Sequence, residues 1–189
     1  MKRRYSLSRI DLLLQNYSKH VRTPWQTDAA AMQRVWFCIY EPHDELNLRT
    51  KLGEFELATL QSSKKWAQYD LTDSFAEWLA GHKYAEKYFK NPSLLNTVLP
   101  DYKSYLVYSI SQCIEASHAD GNTVLALYGV GSLFGFIKVK ELVDKVAPLV
   151  PGRLVLFFPG THENSTYRLL DGYDGWGYLA VPITSDKEL

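Results

Sequence analysis

Three glycines, Gly129, Gly131 and Gly135, stand between an apolar run and a segment of helical periodicity. Glycines so placed let backbone N–H groups close on a phosphate, commonly with a lysine reaching the terminal phosphates. The spacing here is GxGxxxG rather than GxGxxG, and no GxxxxGK[ST] occurs in the chain. Lys138 follows Gly135 but does not occupy the lysine position of a phosphate loop. The same residues suit a tight strand-to-helix turn, and no cofactor is expected. Asp70 and Asp73 bracket a helix start after a strand, where carboxylates hold magnesium or, through Asp73 or Thr72, cap the helix. His162 adjoins Glu163, with Asp171 and Asp174 further on. HExxH, CxxC and regular histidine spacing are absent, which argues against zinc. GxSxG is absent too, and no histidine accompanies a nucleophile in a recognisable turn. No catalytic constellation emerges, so the chain reads as a non-enzyme.

A different kind of candidate lies near the C-terminus. Tyr167, Tyr173, Trp176 and Tyr178 flank a glycine-rich turn, with Arg168 as their charged companion. Turns tend to be exposed, and Tyr, Trp and Arg are the residue types that anchor interfaces. Partner binding and local packing both account for the cluster.

These residues need elements to position them. In residues 5–22 the apolar Ile10, Leu13, Leu14, Tyr17 and Val21 recur at three- and four-residue spacings, an amphipathic helix that Ser8 can cap and Thr23-Pro24 ends. Residues 35–40 form a continuous apolar run, the mark of a strand buried on both faces. Asp44 can cap a helix running to about Leu60, residues 66–71 read as a second strand, and a helix carrying Phe75, Trp78 and Leu79 follows. Helical pattern resumes over 102–118, a third strand spans 123–128, and a helix is expected over 136–147. A fourth strand over 154–158 is expected to stop at Pro159-Gly160. Segments 167–170 and 178–183 suggest a hairpin or edge arrangement around the turn. Apolar strands alternating with helices imply a three-layer α/β domain, Rossmann-like or RecA-like, with a mostly parallel sheet and a C-terminal edge hairpin. Ligands of such sheets usually sit beyond the strands' carboxyl ends. That directs attention to residues 41–44, 70–73, 129–131 and 159–163, which should converge.

Composition narrows the function. The chain has 189 residues, which favours one unit: an α/β domain over residues 34–189 with a helical arm, residues 1–33, packed on it. Lysine plus arginine number 21 and so do aspartate plus glutamate, so charge alone does not drive nucleic-acid binding. Local asymmetry remains: Lys2, Arg3, Arg4, Arg9, Lys19 and Arg22 oppose only Asp11 at the start of the chain. Two cysteines in apolar stretches, Cys38 and Cys113, read as buried thiols of a reducing compartment. The N-terminus lacks a signal-type apolar core, and the longest uncharged run, 121–137, is glycine-broken and short for a membrane span. A cytoplasmic protein without membrane contact is expected.

Ala126-Leu127-Tyr128-Gly129-Val130-Gly131-Ser132-Leu133-Phe134 and Gly152-Arg153-Leu154-Val155-Leu156-Phe157-Phe158-Pro159-Gly160 together resemble the BrxB family of bacterial BREX bacteriophage-exclusion systems. The opening strand with its Glu41-Pro42 end, Asp44-Glu45-Leu46, and the closing Tyr167-Arg168-Leu169-Leu170 and Tyr178-Leu179-Ala180 are similar to the family as well. The resemblance implies a non-catalytic component of a phage-defence complex. Its implied partners are a PglZ-like protein of alkaline-phosphatase fold and a large ATPase. The resemblance supplies no catalytic residues. Two other readings stay open: a nucleotide sensor or enzyme at the strand-end loops, and a DNA-contacting accessory acting through the basic arm.

Overall fold

The computed structural model describes residues 7–172 and 175–186. The chain begins in α1 (Arg9–Arg22), whose start is fixed by its own side chains. Ser8 Oγ accepts from the Asp11 backbone N–H at 3.1 Å, and the Ser8 backbone N–H donates back to Asp11 Oδ2 at 3.1 Å. This reciprocal pair closes the first turn. The Ser8 hydrogen bond, then the Lys51 ammonium, holds the Asp11 carboxyl below its ordinary pKa. A depressed carboxyl adds stability that is full above its unfolded pKa, about 4, and is lost as the pH falls through the folded value. Ser8→Ala is therefore expected to cost about 1 kcal/mol at neutral pH and to lose part of that cost in acid. Urea melts of both proteins at about pH 7 and about pH 3 check this; a constant difference between them contradicts it.

Five parallel strands form the main path of a seven-stranded sheet: β1 (Val35–Tyr40), β2 (Lys65–Asp70), β3 (Thr123–Tyr128), β4 (Arg153–Glu163) and, of the last strands, β7 (Val181–Ile183). Their order is β2-β3-β4-β1-β7. Val35 pairs with Leu154 and Val124 with Arg153, which places β1 and β3 on either side of β4. All six residues of β1 are buried, because helices cover both faces. Alternation along the strand then sorts the core. Trp36, Cys38, Tyr40, Val155 and Phe157 meet α1 and α2 (Glu45–Gln61), while Val35, Phe37, Ile39, Leu154, Leu156 and Phe158 meet α5 (Leu99–Ala116) and α6 (Val139–Val146). Two short helices, α3 (Ser74–Ala80) and α4 (Ala85–Lys90), join β2 to α5. On the first face the Tyr17 hydroxyl lies 2.5 Å from Thr59 Oγ1, whose own proton goes to the Phe55 carbonyl, so the phenol is the donor that locks α1 to α2. This is a three-layer α/β fold with a mostly parallel sheet.

Two expectations change at the C-terminal end. β4 does not stop at Pro159-Gly160 but runs to Glu163. Pro159 still accepts, through its carbonyl, from the Leu170 N–H at 2.8 Å, and a side chain at Gly160 would strike the Arg168 carbonyl. The glycine thus admits β5 (Thr166–Leu169), which pairs antiparallel with β4. The hairpin partner of the 167–170 segment is consequently β4, with β6 (Trp176–Gly177) on its other side. The 178–183 segment supplies β7 instead, parallel to the free edge of β1. The helix expected over 136–147 starts later, at Val139, because Lys138 before it is extended (φ −70°, ψ 126°). Among the described residues no helix is long and apolar enough to cross a membrane.

Candidate functional site

Parallel strands end on one side, and the four loops do converge there. Pro42, Thr72, Gly129, Gly131, Ser132 and Pro159 line a pocket of about 310 Å³ with Glu45, Arg49 and Leu170. The β4–β5 hairpin contributes Pro159 and Leu170 to its wall.

The polar groups of this crevice are bonded to one another. Arg49 Nε donates to Glu45 Oε1 at 2.8 Å, Nη2 donates to Thr72 Oγ1 at 2.7 Å, and Nη1 lies 3.9 Å from Asp70 Oδ2. Asp70 Oδ1 accepts from the Thr72 N–H at 2.9 Å and from the Thr72 hydroxyl. The Tyr40 hydroxyl donates to the second oxygen of Glu45. Burial opposes the Arg49 charge, but the hydrogen bond to Glu45 and the charges of Glu45 and Asp70 outweigh it, so its pKa rises. Burial, then Glu45, pushes the Tyr40 phenol far up, which keeps it a donor. Two carboxylates against one guanidinium leave the crevice net negative, a poor seat for a phosphate.

The glycine segment fits this arrangement as a turn. Gly129 has φ +71°, and a Cβ there would lie 2.8 Å from Thr72 N. One 3-10 turn, Val130–Leu133, follows it, and Ser132 Oγ shares its proton between the Leu71 and Gly129 carbonyls, both at 2.8 Å. The loop therefore does not open onto a helix N-terminus, the feature that makes a phosphate loop. Asp73 stands at the start of α3 but its side chain makes no capping bond there, and Asp70 organises the turn instead. Asp44 likewise does not cap α2; it accepts from Arg9 Nε at 3.0 Å. That contact takes Arg9 out of the basic arm, and Lys2, Arg3 and Arg4 lie outside the described residues. No group of three or more His, Cys, Asp or Glu side chains is placed to hold a metal among the described residues. Both cysteines are free; burial raises their pKa, Cys38 inside the core and Cys113 half-buried with its thiol on the Gln68 carbonyl.

The aromatic cluster divides. Tyr167 is fully buried and Tyr178 nearly so, because the β4–β5 hairpin folds back over the α5–α6 side of the sheet. Both are core residues, which corrects their assignment to a partner surface. Arg168 points to solvent from β5. Trp176 is half-buried, edge-on to Phe158 at 5.8 Å, and borders an apolar pocket of about 540 Å³ with Phe134 and Phe136. Tyr173 lies outside the described residues.

One surface escaped the sequence reading. Leu46, Thr50, Gly53, Leu57 and Leu60 follow one another at spacings of four, three, four and three along α2, and all are exposed. That is the spacing of a coiled-coil seam. A Cβ at Gly53 would meet nothing within 4 Å among the described residues, so no contact there needs the glycine. The visible signal was that α2 carries leucines on both faces, Leu48 inward and Leu57 outward.

Comparison with known proteins gives no matching family model, no matching curated protein and no matching solved structure.

Proposed function

We propose that this chain is a non-catalytic interaction module of a bacterial BREX-type anti-phage complex, working in the cytoplasm to bridge a PglZ-like protein and a large ATPase. The observation that carries the interaction half is the outward seam of α2. Leu46 is 77% exposed, and Leu57 and Leu60 are each half exposed, along four turns of a helix whose other face is committed to the core. An amphipathic helix of a partner fits such a seam, with Gly53 allowing the backbones to approach. The net-negative crevice, whose polar groups are bonded to one another, supports a structural role for the strand-end loops. The choice of system rests on the resemblance carried by residues 126–134 and 152–160.

The test is co-expression of the tagged chain with its neighbouring genes, capture at moderate salt and identification by mass spectrometry. Stoichiometric recovery of a phosphatase-like protein or a large ATPase is expected. The Leu57→Glu/Leu60→Glu double variant is expected to lose at least about tenfold in capture while its Tm moves by no more than about 2 °C, as exposed substitutions do. Recovery of the chain alone, folded and monomeric, rejects the module reading. Undiminished capture by the double variant rejects the seam.

A further inference from the structure

At the opposite end of the sheet the charge balance reverses. A cleft of about 500 Å³ opens between the end of α1, residues 23–33 and the start of β4, lined in part by His20, Trp25, Gln26, Trp36 and Arg153. Arg153 is only 6% exposed. Its guanidinium donates to the Gln26 carbonyl at 3.2 Å and to the Gly152 carbonyl at 3.4 Å, and lies 4.8 Å from the centre of the Trp25 ring. Lys64 Nζ lies 4.2 Å from the same ring. Arg34 donates to the Val150 and Pro151 carbonyls at 2.9 and 2.7 Å, and its Nε is buried without an acceptor among the described residues. The Trp25 indole N–H is buried and unpaired in the same sense.

None of Arg153, Arg34 and Lys64 forms an ion pair among the described residues. Asp120, at the same end of the sheet, is held by Lys65 at 2.6 Å. Burial first, and then the Arg34 charge, lowers the pKa of Arg153, the mark of a cation lacking its counter-charge. A buried charge with no partner is costly, and a fold keeps one where an anion completes it.

We propose that this cleft is a phosphate site, in which Arg153 pairs with the phosphate of a small phosphate monoester and the Trp25 N–H donates to the same ligand. Arg153 and Lys64 flank one indole, Lys64 donating to the Asn122 amide oxygen at 2.9 Å, and the Arg34 charge adds to that of Arg153, so an anion with more than one charge suits the cleft better than a single carboxylate. The guanidinium fork offers parallel N–H groups to two phosphate oxygens. Cations attend the Trp25 ring at 4.2 and 4.8 Å, so the ring is no free platform for a base, and recognition falls on the phosphate. The concave cleft has the size of a small-molecule site. It shares no residue with the α2 seam, so the two readings stand or fall separately.

Isothermal titration of the full chain in phosphate-free, low-salt buffer decides the matter, with ribose 5-phosphate, inorganic phosphate and a short DNA duplex as probes. Saturable 1:1 binding of ribose 5-phosphate is expected, weakened at least about tenfold by Arg153→Met. Trp25→Phe keeps an aromatic face and removes the N–H, and is expected to weaken binding several-fold. It decides the matter if Arg153→Met fails to fold in a thermal melt. Binding of inorganic phosphate alongside, lost in the same variants, supports the site equally. No saturable heat up to about 10 mM of either phosphate, a concentration at which even millimolar sites register, overturns the proposal. So does binding that both folded variants retain, or binding of the duplex alone.

Discussion

Tyr167→Ala is expected to lower the melting temperature by roughly 8–16 °C, while Arg168→Ala, one residue on, leaves it within about 2 °C. The first figure follows from packing. Tyr167 is fully buried, sits edge-on to Phe37 at 4.6 Å and to Phe158 at 6.2 Å, and carries the His162 ring at 4.4 Å. Phe37 in turn stacks on Phe158 at 5.3 Å and Tyr178 at 5.9 Å, so truncating the β5 ring opens a hole in an aromatic cluster whose other members come from β1, β4 and the segment before β7. Removing a buried aromatic side chain costs about 3–5 kcal/mol. The Tyr167 hydroxyl also donates to the Ala180 carbonyl at 2.9 Å, and burial pushes its pKa up to about 12, so it remains a donor at neutral pH. Tyr167→Phe keeps the ring and leaves that carbonyl unpaired, for a smaller loss of about 1–3 kcal/mol. Scanning calorimetry of the three variants gives the ranking. A Tyr167→Ala protein that melts with the wild type would return this residue to the surface.

That expectation shows where sequence reading reached and where it stopped. The continuous apolar run of β1 announces a strand covered on both faces, and the structure buries all six of its residues. Parallel topology then makes the convergence of the strand-end loops a matter of geometry, and Pro42, Thr72, Gly129 and Pro159 do share one pocket. The aromatic turn misled because a glycine-rich loop says nothing about what lies beneath it. Here β4 continues through Pro159-Gly160, two residues that ordinarily end strands, and carries Tyr167 back over the sheet. Only the partner strand reveals why they are tolerated: Leu170 bonds the Pro159 carbonyl, and β5 needs the space at Gly160.

The crevice itself was legible as a place but not as chemistry. Arg49 and Thr72 are 23 residues apart, on α2 and on the loop after β2, and no local spacing foretells their contact. Asp70, a plausible magnesium ligand from sequence, becomes the acceptor of a turn and a partner of that arginine. The buried Arg153 was hidden for a similar reason. Its isolation from carboxylates depends on the packing of residues 23–34 against the start of β4, which pattern reading left without an element.

The three glycines of the GxGxxxG segment are expected to respond to alanine in three different ways, and their order separates a turn from a phosphate grip. Gly129→Ala combines a left-handed backbone with a collision, since φ is +71° and the new methyl would lie 2.8 Å from Thr72 N and 2.9 Å from Asp70 Oδ1. Left-handed strain alone costs about 1–3 kcal/mol, and the clash forces the Asp70–Thr72 turn to move. A loss of roughly 3 kcal/mol or more is expected, or about 6–12 °C in Tm. Gly135→Ala has the strain without the collision, with φ +82° and nothing within 4 Å, and should cost about 1–2 kcal/mol. Gly131 has no positive φ, and its nearest prospective neighbour is Pro159 Cγ at an ordinary 3.5 Å. Gly131→Ala should be neutral or stabilising by up to about 1 kcal/mol, through the entropy it removes from the unfolded chain. Urea melts rank the three directly. A phosphate loop predicts another pattern, in which Gly131→Ala leaves stability intact yet abolishes a nucleotide-induced rise in Tm, because its methyl would keep the phosphate from the backbone. The Arg49–Glu45–Asp70 cluster argues for the first pattern: with its one guanidinium bonded and a net negative charge around it, this end of the sheet holds its loops together and leaves recognition to other surfaces.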